Sequence, residues 1–366
     1  VIGGHAMEIV YNDDELFQYM RFATEISPDH PVLVDKYLLG KEVEIDAICD
    51  GEDVFIPGIF EQIERAGVHS GDSMAVFPPF NLSDKEITEI VKHSVRIGKA
   101  LNVIGLMNIQ YVISDGRIYC IEVNPRASRT VPIISKVTGV EMVSIATRIA
   151  NGKKLKDFGL KSGLLKKPDY FTIKAPVFSF DKLKLVETSL GPEMKSTGEV
   201  LGLGKTKIEA LYKAMVGSGL HIPKTGNVLL SFADKDKEES IDIARRLINL
   251  GYKLFGTKDS ARFLKGKKIE IEEVLSPGDG APHVLDIMRD SKIDLVFNTP
   301  TKGKSPGKLG FKIRRAAVEY KIPCLTSIDT GISAITILEE EKKGNVLQSV
   351  SLNNYLDNYK DRSIIE

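Results

Sequence analysis

Two short stretches concentrate oxygen-bearing and cationic side chains: Met107-Asn108-Ile109-Gln110 and Ile121-Glu122-Val123-Asn124-Pro125-Arg126. They read as two strands, Leu106 to Ser114 and Ile118 to Asn124, around Asp115-Gly116-Arg117. A three-residue loop makes Ser114 face Ile118, which sets Gln110 opposite Glu122 and Asn108 opposite Asn124, all on one face. A two-residue Asp-Gly turn sets the register one step off and sends Gln110 and Glu122 to opposite faces. The three-residue loop is the expected arrangement. Oxygen donors grouped on a rigid face suit Mg²⁺, which takes carboxylate and amide oxygens and keeps the rest of its shell for phosphate and water. The alternative is a polar strand that merely faces solvent. Pro125 ends the strand, and Arg126 and Arg129 follow at a spacing that suits clamping an anion, which favours the ligand reading.

The elements that must position these groups are legible from hydrophobic periodicity. Pro31 to Tyr37 reads as a short apolar strand. Glu42 to Asp50 alternates over its first half and stops at Gly51, as a strand followed by a turn does. Ser83 to Leu101 carries a 3.6-residue apolar period and opens with Ser83 and Glu86, spaced as a capping box. Strands mixed with helices predict an α+β arrangement here. From Asn227 the rhythm becomes strict strand–helix alternation, with strands at 227–232, 253–257, 269–275, 293–298 and 323–327. The helices expected between and after them run to Arg246 and over 259–265, 282–291, 308–320 and 330–342. Such alternation predicts a doubly wound, mostly parallel five-stranded sheet that binds ligands beyond the carboxyl ends of its strands. A further helix is expected at 204–216, and Gly217 to Thr225 reads as a domain boundary.

Composition narrows the class. The chain has 366 residues, 42% hydrophobic and 27% charged, which suits two or three globular domains and neither disorder nor a fibre. Lys plus Arg equals Asp plus Glu at 50 each, so net charge advertises no nucleic-acid partner. No apolar run approaches the roughly 18 residues of a membrane span, and no signal peptide is evident. Cys49, Cys120 and Cys324 show no metal-ligand spacing and fit a reducing, cytoplasmic setting. Cys49 and Cys120 sit in apolar runs and are expected in the core. The chain opens at Val1 in mid-pattern, as a fragment would.

The segment EVNPRASRTVPIISKVTG (122–139) resembles the metal and phosphate segment of ATP-grasp enzymes, in the form found in carbamoyl phosphate synthetase. VIGGHAMEIVY (1–11), EQIERAGVHSGDS (61–73), GLMNIQY (105–111) and GPEMKSTGEVLGLG (191–204) carry the same resemblance, which runs with gaps over the whole chain. It implies the C-terminal part of that enzyme's large chain. The fold implied is an α+β ATP-grasp unit, truncated at its start, followed by an α/β doubly wound regulatory domain. The implied domains are 1–150, the ATP-grasp catalytic portion; 151–218, the remainder of the carbamoyl-phosphate-forming unit; and 219–366, a methylglyoxal-synthase-like allosteric domain.

By position, the resemblance makes Gln110 and Glu122 ligands of the Mg²⁺ (or Mn²⁺) ions that bridge the ATP phosphates, with Asn124 on one of them. Arg126 and Arg129 hold the anionic substrate and the transferring phosphoryl group, and His69 joins them in the catalytic set. Gly3 and Gly4 form the tip of a loop over the phosphates; the Arg-Pro-Ser stretch that precedes it in the family is absent here. Lys36 and Leu38 fall at the adenine hinge, one residue shorter than in some relatives, and Glu42 at the carboxylate for the ribose hydroxyls. Gly67, Val68, His69 and Ser70 line the nucleotide and carbamate site. K⁺ is a further ion the resemblance allows.

The activity implied is that of an ATP-dependent carbon-nitrogen ligase, a glutamine-hydrolysing carbamoyl phosphate synthase of arginine or pyrimidine biosynthesis. The step is phosphorylation of carbamate, with bicarbonate and ammonia as upstream substrates, a glutaminase small subunit as partner and a homo-oligomer as an allowed state. Alone, the fragment is expected to be inactive. The rival readings are another ATP-grasp ligase, such as a biotin carboxylase, and a regulatory nucleotide-binding module with a non-functional catalytic remnant. In the C-terminal domain Lys237, Thr257, Ser260, Asn298 and Thr299 are the expected effector residues, with a nucleotide monophosphate such as UMP as the effector. Leu275-Ser276-Pro277 and Pro300 depart from the pattern of UMP-regulated relatives, where a Lys and a second Thr stand.

Overall fold

A computed structural model describes residues 4, 7–10, 12–26, 31–182, 186–301, 307–344, 349–359 and 361–365. The chain forms two compact units: Val1–Lys174 with Gly191–Lys195 and Val350–Glu366, and Ala175–Leu190 with Ser196–Ser349.

The first unit contains α1 (Asp13–Ile26), β1 (Lys41–Asp50), β2 (Val54–Gln62), β3 (Ala75–Phe77), α2 (Asp84–Ala100), β4 (Ile104–Ser114), β5 (Arg117–Asn124), α3 (Val131–Thr138), α4 (Met142–Ala150), β6 (Gly163–Leu165) and the first residues of β7 (Phe171–Val177). Its sheet runs β5-β4-β1-β2-β3-β7, with every neighbouring pair on that path up to β7 antiparallel. Strict alternation on β1 sends Val43, Ile45, Ala47 and Cys49 into a core with Met107, Ile109, Tyr111 and Ile90 of α2. The capping box that starts α2 forms as expected: Ser83 Oγ accepts from Glu86 N (3.3 Å), and Ser83 N donates to Glu86 Oε2 (2.7 Å).

Three expectations fail here. Pro31 to Tyr37 is not a strand: no sheet edge among the described residues pairs with it, and Leu33 is 83% exposed. Cys120 is exposed, because β5 is the edge strand and its apolar run has one face uncovered; Cys49, on the central β1, is buried. The hairpin loop has two residues rather than three. Ser114 pairs with Arg117, and Asp115 (φ 49°) with Gly116 (φ 71°) supplies the two left-handed positions of a type I′ turn.

The second unit holds the end of β7, β8 (Gly198–Gly204), α5 (Lys207–Gly217), β9 (Asn227–Ser231), α6 (Lys237–Leu250), β10 (Lys253–Thr257), α7 (Lys258–Gly266), β11 (Glu272–Val274), α8 (Val284–Arg289), β12 (Leu295–Asn298), α9 (Leu309–Glu319), β13 (Cys324–Leu325) and α10 (Ile328–Lys342). After β8 and α5 come the five strand–helix repeats, and their sheet, β11-β10-β9-β12-β13, is entirely parallel rather than mostly so. Leu229 and Val296 face a core with α8 and α9, while Phe297 meets Gly331 of α10 on the opposite face. That is the two-sided burial a parallel sheet requires. The chain then adds α11 (Leu352–Asn358) and β14 (Ile364–Ile365) to the first unit, where β14 pairs with β6. Among the described residues no helix is long and apolar enough to cross a membrane.

Candidate functional site

The polar face of β1 carries an acid at every second position, Glu42, Glu44 and Asp46, all buried. Antiparallel pairing extends this stripe sideways. Glu44 pairs with Gln110 and Gln110 with Glu122; Asp46 pairs with Asn108 and Asn108 with Asn124. Gln110, Glu122 and Asn124 therefore share one face, although the loop that was to set their register is one residue shorter than expected. A bulge restores it. Tyr111 pairs with Cys120 and Gln110 with Glu122, so Ile121 is the extra residue, and the register shifts by one there.

Hydrogen bonds lock the row. Asn124 Nδ2 donates to Glu122 Oε1 (2.9 Å) and Asn108 Nδ2 to Glu44 Oε1 (2.8 Å). Gln110 Nε2 donates to Ser70 Oγ (3.1 Å), which leaves Oε1 to serve as an acceptor. Gln62 Nε2 donates to Glu44 Oε2 (3.3 Å), and the buried Gln62 Oε1 has no partner among the described residues. Burial, then Glu44, push the Glu42 carboxyl up to about 8, although Lys174 pulls it down. A carboxyl that stays protonated near neutrality can donate a hydrogen bond as well as accept one.

Among the described residues no three His, Cys, Asp or Glu side chains form a ready metal cage. The donors that are present, one carboxylate and two amide oxygens in a row, fit a Mg²⁺ ion that takes its remaining ligands from phosphates and water.

The loop after β2 closes over this face. His69 N donates to Gly191 O (2.8 Å), and Lys174 Nζ donates to Ser70 O (2.6 Å). His69 Nδ1 accepts from Gly71 N (3.0 Å), and burial lowers its pKa, so the imidazole is neutral with its proton on Nε2. Gly67 adopts φ +105°, and a Cβ there would stand 2.7 Å from Tyr37 Oη. That same hydroxyl donates to Ala66 O (2.7 Å). Tyr37 thus joins the segment holding Lys36 and Leu38 to the Gly67–Ser70 loop; Lys36 is exposed, and Leu38 and Val68 are half-buried. Gly4 packs so closely on Pro192 that a side chain would strike its carbonyl oxygen. Gly3 lies outside the described residues. Arg126 is exposed, and Arg129 Nη1 reaches Met194 Sδ (3.2 Å).

In the second unit Asn298 and Thr299 end β12 beside β9, where the chain order of the strands reverses, the position at which such sheets bind ligands. Ser260 Oγ accepts from Phe232 N (2.9 Å) and Thr299 Oγ1 from Ala233 N (2.8 Å), which brings both to the end of β9. Thr257 precedes α7 without a side-chain capping bond and lies 3.4 Å from Ser260 Oγ. Lys237 begins α6 and pairs with Asp234 (2.5 Å). Asn298 Oδ1 accepts from Arg314 Nη1 (2.5 Å), and its buried Nδ2 has no partner among the described residues. Arg314 grips both oxygens of Glu187 (2.7 and 2.6 Å).

Sequence reasoning missed Glu44, Asp46, Gln62, Ser128, Thr130 and Lys174 in the first unit, and Arg314 in the second. The acids had a visible signal, since Glu42, Glu44 and Asp46 alternate along one strand. Gln62, Ser128 and Thr130 lie within the quoted segments 61–73 and 122–139 but show no periodicity of their own, and Lys174 and Arg314 had no local signal.

Residues 1–158 match the family described as carbamoyl-phosphate synthase L chain, ATP binding domain, and residues 239–326 match the MGS-like domain. Among solved structures, a Campylobacter jejuni biotin carboxylase in complex with β-γ-ATP is 15% identical with a TM-score of 0.45, covering 58% of this chain and 54% of that one. The biotin carboxylase domain dimer of Hydrogenobacter thermophilus 2-oxoglutarate carboxylase, in complex with ADP, its magnesium salt and bicarbonate, is 17% identical. Its TM-score is 0.44, with 57% and 52% covered. This chain spans about half the length of these two structures.

Proposed function

We propose that this chain, whose two domains stand in the order of the C-terminal part of the carbamoyl phosphate synthetase large chain, phosphorylates carbamate with ATP. On this reading a domain at its C-terminal end, about 219–366, regulates the reaction. The observation that carries the reading is the polar row Glu44–Gln110–Glu122 and Asp46–Asn108–Asn124 beneath the His69–Ser70 loop.

Gln110, Glu122 and Asn124 would hold Mg²⁺, and Mn²⁺ suits the same donors. The metal, when bound, supplies charge that offsets the ATP phosphates. Glu42, protonated near neutral pH, suits the ribose hydroxyls. Arg126 and Arg129 hold the anionic acceptor and the phosphoryl group. A carbamate oxygen attacks the γ-phosphorus, the bond to the ADP oxygen breaks, and carbamoyl phosphate forms; positioning and electrostatics supply the rate. Neutral His69 can donate a hydrogen bond from Nε2 to a developing oxyanion. The buried strand face helps to exclude water, which carbamate does not survive. A glutaminase subunit would supply ammonia. The second unit would take an anionic nucleotide such as UMP on Lys237, Thr257, Ser260, Asn298 and Thr299.

In the intact enzyme Glu122→Gln is expected to abolish carbamoyl phosphate synthesis without lowering the unfolding midpoint, because it removes a metal charge and empties no core. Near-normal synthesis would remove the metal row from the mechanism. Calorimetric titration of this chain with ATP–Mg²⁺ and, separately, UMP tests the two sites one at a time.

A further inference from the structure

Asp46 is 3% exposed, and its carboxylate is saturated by protein donors. Oδ1 accepts from Asn108 Nδ2 (3.1 Å), and Oδ2 accepts from Ser128 Oγ (2.8 Å) and Thr130 Oγ1 (2.5 Å). Ser128 Oγ and Thr130 Oγ1 also stand 2.7 Å apart, and Thr130 N donates to Ser128 Oγ (3.1 Å). Thr130 is buried and immediately precedes α3. The two residues close the segment that carries Arg126 and Arg129. At its other end Arg126 N donates to Asn124 O (2.8 Å), in the metal row.

The arginine segment has no ladder or helix of its own between Asn124 and Val131. Its conformation is set by what its ends are tied to, and Asp46 on β1 accepts from both hydroxyls at the far end. Thr130 Oγ1 has a second, longer contact to Glu44 Oε1 (3.3 Å). With three protein donors on it, Asp46 has little capacity left for a metal or a nucleotide. An apolar residue would fill the position at lower cost, since burying a carboxylate is expensive.

We infer that Asp46 is a positioning residue, which holds the Arg126–Arg129 segment against the metal row through Ser128 and Thr130 and so fixes where the γ-phosphoryl group is gripped. This rests on the reading of the first unit as a nucleotide site. Buried partners that orient a functional group typically contribute about ten- to a hundredfold when removed.

The test uses the full chain and three probes: adenosine, Mg²⁺–ADP, and Mg²⁺ with a non-hydrolysable β,γ-methylene ATP. The ratio of the last two affinities isolates the grip on the γ-phosphate. Asp46→Ala and Thr130→Val are expected to lower that ratio about tenfold, with adenosine and ADP affinities nearly unchanged. Thr130→Ser, which keeps the hydroxyl, is expected to restore it. Arg129→Ala is expected to lower the ratio too, and the Arg129→Ala/Thr130→Val pair to lose no more than Arg129→Ala alone. If Asp46→Ala does not fold, the two Thr130 variants carry the test. An unchanged ratio in Thr130→Val beside a lowered one in Arg129→Ala would overturn the inference and leave the nucleotide reading intact. Equal loss for all three probes would show a merely structural role and overturn it as well. No gain from the γ-phosphate in the unaltered chain would sink the nucleotide reading and the inference together.

Discussion

The two candidate sites solve opposite electrostatic problems. In the first unit, pairing across antiparallel strands stacks Glu42, Glu44, Asp46 and Glu122 on one face, where burial, then Glu44, push the Glu42 carboxyl up to about 8 and raise Asp46 above the usual carboxylate range. That face is short of positive charge, which suits cations and the polyphosphate they accompany. In the second unit the strand ends offer hydroxyls, a helix start and cations, and the cations are already answered: Lys237 by Asp234, Arg314 by Glu187. A site of the first kind gains stability when its ligands arrive. On the proposed reading, one of the second kind would exchange an internal carboxylate for an external anion. The sheet type explains the difference, because rows across an antiparallel face multiply side chains of one kind, whereas parallel strand ends gather one group from each of several loops.

Breaking the second unit's internal pair gives the largest expected effect. Arg314→Met strips the half-buried Glu187 carboxylate of its bidentate ion-pair partner, leaving it the Ser189 N bond (3.0 Å), and removes the donor to Asn298 Oδ1, and we expect a loss of about 3–5 kcal/mol in denaturant unfolding. Adding Glu187→Met is expected to recover most of it. A single-variant loss under about 1 kcal/mol would mean that the pair is not held tightly.

The first unit is expected to respond in the opposite sense. A buried acid whose folded pKa is raised stabilises the native state fully below its unfolded pKa of about 4.3, and that contribution disappears as the pH rises through about 8. Without metal or nucleotide, stability should therefore fall between these values. Glu42→Gln should flatten the profile and add about 2–4 kcal/mol at neutral pH. A profile that is the same with and without the carboxyl would contradict the charge-strained face.

Smaller effects sharpen the exchange at the second site. Lys237→Ala is expected to weaken UMP binding about tenfold, as loss of one charge-assisted contact does. Asp234→Ala, which frees Lys237, should strengthen it about two- to threefold, the size expected for an exposed competitor. Titration calorimetry on both variants separates the two; weaker binding in Asp234→Ala would show that Asp234 helps the ligand rather than competing with it.

Local pattern was enough for much of this molecule. The strand–helix alternation after Asn227 is a two-sided burial code that few folds satisfy, and the Ser83–Glu86 cap needs only residues three apart. The row of Gln110, Glu122 and Asn124 was legible as well, but through a wrong loop length corrected by an unforeseen bulge at Ile121. Register is a property of two strands together, and a one-residue bulge costs too little to leave a mark in either strand. Pro31 to Tyr37 and Cys120 show the same limit, because a strand needs an edge to pair with and an apolar run needs a cover, and neither partner is encoded locally. The contacts that only the tertiary structure decided are those of Thr130 with Asp46 and of Arg314 with Glu187. These partners lie far apart along the chain and carry no shared period, so only the folded backbone brings their hydrogen-bonding atoms within reach.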